Sequence, residues 1–198
     1  MPTSAAPVPA VTILAIDPAT VRCGVALVRV PLTGEIALAG AWCLHASGTG
    51  VEVRIQSLAR QLLALRCHWD QTDSECLLAY EQPYSQTGEN AQGYAGVEWV
   101  WATIGAALAV VDKPPIAVST SAVAAQYGAT GIKREIKKQM AVEWARLRFG
   151  LILSARDHDA ADAVAVGCAA GKIWRERTWA AQAQARQPAL TGPRGGKL

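Results

Sequence analysis

The run Val-Thr-Ile-Leu-Ala-Ile-Asp at residues 11–17 constrains this chain more than any other stretch, because it closes six β-branched or aliphatic residues with a carboxylate. Such a run reads as a strand buried on both faces. An ionised acid at the end of a buried strand is costly unless a cation or strong hydrogen bonds meet it, so Asp17 calls for metal or dedicated donors. The competing reading makes Asp17-Pro18 the opening of an ordinary turn. What the rest of the chain brings to Asp17 decides between them.

With 198 residues and 51% hydrophobic composition, the chain can bury one sizeable core but is short for two domains. A formal charge of +3 permits a polyanionic partner without demanding one. The five cysteines, Cys23, Cys43, Cys67, Cys76 and Cys168, are odd in number and form no Cys-x-x-Cys pair, which argues against a zinc knuckle or a closed disulfide framework. They read as reduced core residues. Cys23 lies close to Asp17 and is a candidate nucleophile, but none of His45, His68 or His158 can be tied to it, and packing is the preferred reading. No apolar run is long enough for a membrane span, and residues 1–10 lack the basic start of a signal peptide, so a cytoplasmic protein is expected.

Residues 1–10, rich in Pro and Ala, read as a disordered leader. Residues 22–30 and 35–44 read as strands joined through a hairpin loop at 31–34, so the chain opens with a three-strand meander. Val51, Ile55, Leu58, Leu62 and Leu65 mark one face of a helix that crosses the sheet. Residues 76–81 form a short apolar strand ending in a second acid, Glu81, before Gln82-Pro83. Within 88–111, one stripe of Tyr94, Val97, Trp101, Ile104, Leu108 and Val111 and a second of Trp99, Thr103, Ala106 and Val110 predict a helix apolar on two sides. Its second face is either a subunit interface or enclosed within one subunit.

A strand at 114–119 and a brief helix at 120–127, capped by Ser119 or Thr120, precede a turn at 128–131. A helix over 132–150 follows, with Ile136, Met140, Trp144 and Leu147 as its inward stripe. A last helix runs from about 157 or 159 to 174, and 175–198 read as a basic, disordered tail. The organised domain is therefore 11–174, of α/β class.

Lys133, Arg134, Lys137 and Lys138 crowd the first turns of the 132–150 helix, against the helix dipole's preference for acids. That placement suggests a bound anion, with phosphate the common candidate. Asp159 and Asp162, separated only by alanines, lie on one face of a helix start. They are either an N-cap and a first-turn acid, or a repelling pair that needs a cation or a shared proton. Taken together, Asp17, Glu81, Asp159 and Asp162 make a four-carboxylate set that structure alone explains poorly. Oxygen donors of this kind suit Mg²⁺ or Mn²⁺, and two such ions roughly 3.5–4 Å apart serve in-line attack of water on a phosphodiester.

Ile16-Asp17-Pro18, Gly24, Tyr80-Glu81-Gln82 and Asp159-Ala160-Ala161-Asp162-Ala163 resemble, in this order, the motifs of the RuvC Holliday-junction resolvases, over most of residues 11–171. The resemblance implies a ribonuclease H-like fold, a mixed five-stranded sheet with helices on both faces. It implies a homodimer, formed through the 88–111 helix, that makes Mg²⁺-dependent paired nicks in four-way DNA junctions with two ions per active site. Asp17, Glu81, Asp159 and Asp162 match the family's metal-binding acids, and Lys137 its active-site lysine, which would steady the scissile phosphate. Lys133, Arg134 and Lys138 would be backbone contacts. Tyr84 falls where the family stacks an aromatic residue on a junction base, or else is a simple rim tyrosine. Ala19 stands where the family usually has glycine, Cys23 where it has threonine, and the loop at 89–96 also departs, which points to a diverged or phage-encoded relative.

Two other functions fit the same residues. One is a nuclease of this fold acting on RNA–DNA hybrid or other branched nucleic acid; the other is a non-catalytic binding module, which would show salt-sensitive binding without metal-dependent nicking.

Overall fold

The computed structural model describes residues 9–19, 21–69, 75–82 and 114–186. Strands β1 (Ala10–Asp17), β2 (Arg22–Pro31) and β3 (Ala37–His45) form the antiparallel meander, followed by helix α1 (Val51–Trp69) and strand β4 (Glu75–Gln82). Strand β5 (Ile116–Ser119) leads into helices α2 (Thr120–Gln126), α3 (Arg134–Phe149) and α4 (His158–Arg186). The sheet order is β3-β2-β1-β4-β5, with β4 parallel to β1 and β5 parallel to β4, so the sheet is mixed.

Helices cover both faces. On one, Ile55, Leu58 and Leu62 of α1 pack on Leu14, Ile16, Cys23, Val25 and Leu78. On the other, the alanine- and valine-rich start of α4 packs on Ile13, Ala15, Ala26, Val28, Val30 and Ala79. β1 is buried on both faces because both receive a helix, which is why its sequence shows no polar alternation.

Helix α4 tracks β2 at very short range, and glycine permits it. A Cβ at Gly167 would meet Val28 Cγ2 at 2.4 Å, one at Gly171 would meet Val30 Cγ2 at 2.8 Å, and one at Gly24 would meet the backbone oxygen of Asp159 at 1.8 Å. The helix therefore runs in the direction of β2 and against β1, and its first turn lies beside the C-terminal end of β1.

Three details differ from the expectation. Helix α4 continues past Trp174 to Arg186, because Ala, Gln, Glu and Arg in this stretch are strong helix formers and no Gly or Pro interrupts them before Pro188. Arg175, expected to begin a disordered tail, instead donates from Nε to the Pro31 carbonyl at 2.9 Å and from Nη2 to the Gly34 carbonyl at 2.7 Å, bracing the β2–β3 turn. On α3 the inward positions are Ala141, Val142 and Ala145, with Trp144 at their edge, while Ile136 and Leu147 point outward. Alanines let α3 approach α4 closely, so small side chains rather than large ones mark that face. Ser119 is the cap of α2, its hydroxyl accepting from the Ala122 amide at 3.3 Å, and Gly150 closes α3 in the left-handed region at φ 66°. Of the leader expected over 1–10, Ala10 begins β1 and the Pro9 carbonyl accepts from the Leu32 amide at 2.8 Å; residues 1–8, Tyr84, the 88–111 helix with its interface, and 187–198 lie outside the described residues. Among the described residues, no helix is long and apolar enough to cross a membrane.

Candidate functional site

Parallel pairing puts two acids at one end of the sheet. Ile16 pairs with Tyr80 across β1 and β4, so the next residues, Asp17 and Glu81, end adjacent strands side by side. Ala15 and Ala79, two residues earlier, face α4, and the alternation of a strand turns Asp17 and Glu81 to that same face. There the first turn of α4 supplies Asp159 and Asp162. Gly24, the direct partner of Asp17 on β2, is what lets that turn come so near.

The result is a cleft of about 240 Å³ in which Asp17, Glu81, Asp159 and Asp162 share walls with Arg134, Lys137 and Lys138 of α3. Thr120, Val123, Ala124 and Tyr127 of α2 and its C-terminal edge close it, with Pro18 and Ala19 at the β1 end. Lys133 stands apart, at the exposed N-cap position of α3, and makes no side-chain cap bond.

Burial raises the Asp17 carboxyl well above the usual range, and repulsion from Asp162, Glu81 and Asp159 adds to it, with Lys138 opposing. Burial also raises Glu81, against hydrogen bonds from Thr120 and Asp17 and the charge of Lys137. A hydrogen bond between two carboxyl groups requires a proton between them. Asp162 is pushed up to about 7, by burial first and then by Glu81 and Asp159; the Tyr127 hydroxyl, donating to Asp162 Oδ1 at 3.3 Å, works the other way. Without added positive charge, the cluster therefore holds protons near neutral pH.

Asp159 is held differently. Its Oδ2 lies 2.9 Å from Arg22 Nη2 and its Oδ1 lies 3.0 Å from His158 Nε2. The same His158 nitrogen is 2.7 Å from Lys138 Nζ. Burial lowers His158, and Lys138 and Arg22 add to this against the pull of Asp159. A neutral ring serves Lys138 as an acceptor or Asp159 as a donor at that nitrogen, not both.

Neither Asp159 nor Asp162 is the helix cap. α4 begins at His158, and Asp157 precedes it, its carbonyl accepting from the Ala161 amide at 3.1 Å. The Asp157 carboxylate is used locally, accepting from the Ser154 amide and hydroxyl, both at 2.7 Å, and these bonds hold it below the usual carboxylate range. Cys23 faces α1 within the core, and burial pushes its thiol far up, as packing requires.

The donor set consists of hard carboxylate oxygens short of positive charge, which fits Mg²⁺ or Mn²⁺. Among the described residues, no three His, Cys, Asp or Glu side chains are drawn together tightly enough to hold a metal ion as they stand.

Several residues of the site escape sequence reasoning. Arg22 reads as the polar start of a strand, Thr120 as a cap, and Tyr127 as a helix end. None of the three carries a sequence signal that separates its place in the site from these readings.

No family model matches the chain, and no curated protein matches it in sequence. Solved structures do match. Thermus thermophilus RuvC aligns with TM-score 0.63 at 20% identity, covering 84% of this chain and 97% of that one. The same protein in complex with Holliday junction substrate gives TM-score 0.65 at 21% identity, covering 85% and 97%. The yeast mitochondrial Holliday junction resolvase Ydc2 gives TM-score 0.51 at 11% identity, covering 92% and 86%. The chain has the ribonuclease H-like fold of these resolvases, over nearly their full length.

Proposed function

We propose that this protein is a metal-dependent, structure-selective DNA endonuclease that resolves four-way junctions by paired nicking. The observation that carries the reading is the meeting of Asp17, Glu81, Asp159 and Asp162 in one cleft with Arg134, Lys137 and Lys138, on a fold shared with junction resolvases. A fold alone hosts many activities, but an acid cluster opposed by a basic helix is suited to phosphodiester chemistry.

In this reading Asp17, Glu81, Asp159 and Asp162 hold Mg²⁺, with Mn²⁺ able to replace it and two ions per site. Bound there, the ions would supply a water of lowered pKa and neutralise charge on the phosphate and the leaving oxygen. The protein's own groups do the rest. Lys137 faces the acids across the cleft and steadies the scissile phosphate. Arg134 and Lys138 draw the adjoining backbone, and Lys133, outside the cleft, makes a more distant phosphate contact. Tyr127 orients Asp162 through its hydroxyl. Two copies of the chain, joined through the 88–111 segment, would present two clefts to opposed strands, with Tyr84 stacking on a base near the branch point.

The test is cleavage of an immobile four-way junction beside linear duplex and an RNA–DNA hybrid, in Mg²⁺, Mn²⁺ or EDTA, with Asp17→Asn as control. Symmetric, metal-dependent nicks in the junction, lost in Asp17→Asn while junction binding persists, are expected. Cleavage confined to the hybrid moves the protein to another branch of the fold, and binding without nicks under every metal makes it a binding module.

A further inference from the structure

Asp159 has a partner that the reaction chemistry does not ask for. Arg22, at the start of β2, places Nη2 2.9 Å from Asp159 Oδ2. The same nitrogen donates to the Arg156 carbonyl in the loop before α4 and lies 3.7 Å from Cys43 Sγ on β3. One side chain thus gathers β2, β3, the loop leading to α4 and the first turn of α4 itself. Its Nε is buried and has no hydrogen-bond partner. Arginine is a costly choice for simple packing there, since an apolar side chain would leave no orphaned donor. His158 Nε2 lies 3.0 Å from the other oxygen of Asp159, so each carboxylate oxygen has a nitrogen beside it. The remaining acids of the cluster have no ion pair among the described residues.

We infer that Arg22 is a positioning residue, which fixes the Asp159 carboxylate in one orientation at the rim of the acid cluster so that it is presented to the metal and phosphate. The inference rests on the nuclease reading for its functional consequence, but the grip itself is a property of the protein alone. Arg22 differs from Lys in shape: its planar guanidinium brings Nη2 to both the carboxylate and the loop carbonyl while Nε stays buried, a placement that a lysine ammonium reproduces only in charge. A carboxylate released from it would swing among positions near three repelling acids, and outer partners of metal ligands are worth about 10–100-fold in affinity or activity.

Three variants, Arg22→Gln, Arg22→Lys and Asp159→Asn, and the double variant Arg22→Gln with Asp159→Asn, test this in two arms. The first measures Mn²⁺ binding to the DNA-free protein by electron paramagnetic resonance, together with nicking of the junction. Arg22→Gln is expected to weaken Mn²⁺ binding and lower kcat, each by about tenfold, with KM for the junction within about twofold of wild type. Arg22→Lys is expected to recover part of both, since it restores the charge without the fork. Binding and turnover of Arg22→Gln within about twofold of wild type overturn the inference, as does a loss that appears only in KM.

The second arm is a thermal double-mutant cycle in EDTA, which stands even if wild type neither binds Mn²⁺ nor nicks, the outcome that would sink the nuclease reading instead. Arg22→Gln should lower the melting temperature by roughly 1–3 °C when Asp159 is present and by clearly less in the Asp159→Asn background, where only its bonds to the Arg156 carbonyl and Cys43 Sγ remain to be lost. Equal shifts in both backgrounds mean that Arg22 does not act through Asp159, and the inference fails.

Discussion

Replacing Gly24 with alanine should damage catalysis far more than stability, and the size of the effect can be worked from geometry. The added Cβ would sit 1.8 Å from the Asp159 backbone oxygen, 2.3 Å from its carbonyl carbon and 3.1 Å from the Ala160 amide nitrogen. Real Cβ atoms essentially never approach within 3.0 Å, so the first turn of α4 must retreat by at least about 1.2 Å. Backbone atoms block the way, so no side-chain rotation relieves the clash. Asp159 and Asp162 travel with that turn, whereas Asp17, paired directly with Gly24, and Glu81 stay with the sheet. A misplacement of about 1 Å in a reacting constellation costs roughly 10²-fold in rate. Overpacking of this kind costs about 1–3 kcal/mol, or roughly 2–12 °C in melting temperature for a chain of this size. The assay is the single-turnover nicking rate on a four-way junction, with circular dichroism melting alongside. Gly171→Ala is the control, because its Cβ would meet side-chain atoms alone, Val30 Cγ2 at 2.8 Å, Val30 Cγ1 at 3.2 Å and Ile36 Cδ1 at 3.3 Å, on the same helix but far from the acids. Gly24→Ala should lose about 10²-fold in nicking while still melting cooperatively, and Gly171→Ala should soften stability and leave nicking near wild type. Wild-type nicking by Gly24→Ala, or equal losses in both variants, would refute the claim that close approach at Gly24 sets the acid geometry.

The raised carboxyls give stability a definite pH dependence in EDTA. Asp162 moves from the ordinary 3.8 to about 7, so between these values the folded state holds more protons than the unfolded one and stability falls as pH rises. The shift corresponds to at most about 4 kcal/mol if Asp162 acted alone. Melting temperature should therefore drop from pH 4 towards pH 7 and then level, Asp162→Asn should flatten the curve, and Mg²⁺ should restore more stability at pH 8 than at pH 5; a flat wild-type curve contradicts the electrostatics described. Lys133→Ala should weaken junction binding similarly across sequences and reduce the slope of log K against log salt by about 1, with the single-turnover rate at saturation unchanged. Lys137→Ala should instead lower that saturated rate by about 10²-fold with a smaller effect on binding, and a purely binding defect would remove Lys137 from the chemistry.

What could be read from the sequence follows from how each signal arises. The strands ending at Asp17 and Glu81 were legible because a buried run broken by an acid is a local pattern, and so was the helix start carrying Asp159 and Asp162 directly after a loop. That β1 and β4 are parallel neighbours was less direct, since pairing is a property of the sheet, but the crossover helix between β3 and β4 pointed towards it. Arg22 was not legible. Its partner is 137 positions away, and nothing about an arginine at a strand start distinguishes a latch from a solvated side chain. The inward face of α3 was misread for a different reason: the eye follows large apolar residues, while close helix packing is made by alanines such as Ala141 and Ala145. The far end of α4 shows the converse, an alanine- and glutamine-rich composition that resembles disorder yet, continuing a long helix without a breaker, stays helical through Arg186.

The four acids are thus unequal, and the inequality comes from where each is anchored. Asp17 and Glu81 belong to adjacent strands and cannot separate without breaking the sheet, so their repulsion is relieved by a proton held between them or by an incoming cation. Asp162 faces them from α4, one helical turn inside the packed interface, and takes up protons for the same reason. Asp159, at the edge of that turn, is the acid that meets Arg22 of β2, and there the chain supplies its own cation. A site built this way lowers its own charge when metal-free, through raised affinity for protons at Asp17, Glu81 and Asp162 and an arginine on Asp159. Divalent ions would displace the protons but not the arginine, because Arg22 remains charged at any working pH and each carboxylate oxygen has a second lone pair to offer. The latch on Asp159 and the binding of metal are on this account compatible rather than competing, and the geometry of α4 against β2, set by Gly24, is what makes both available to the same carboxylate.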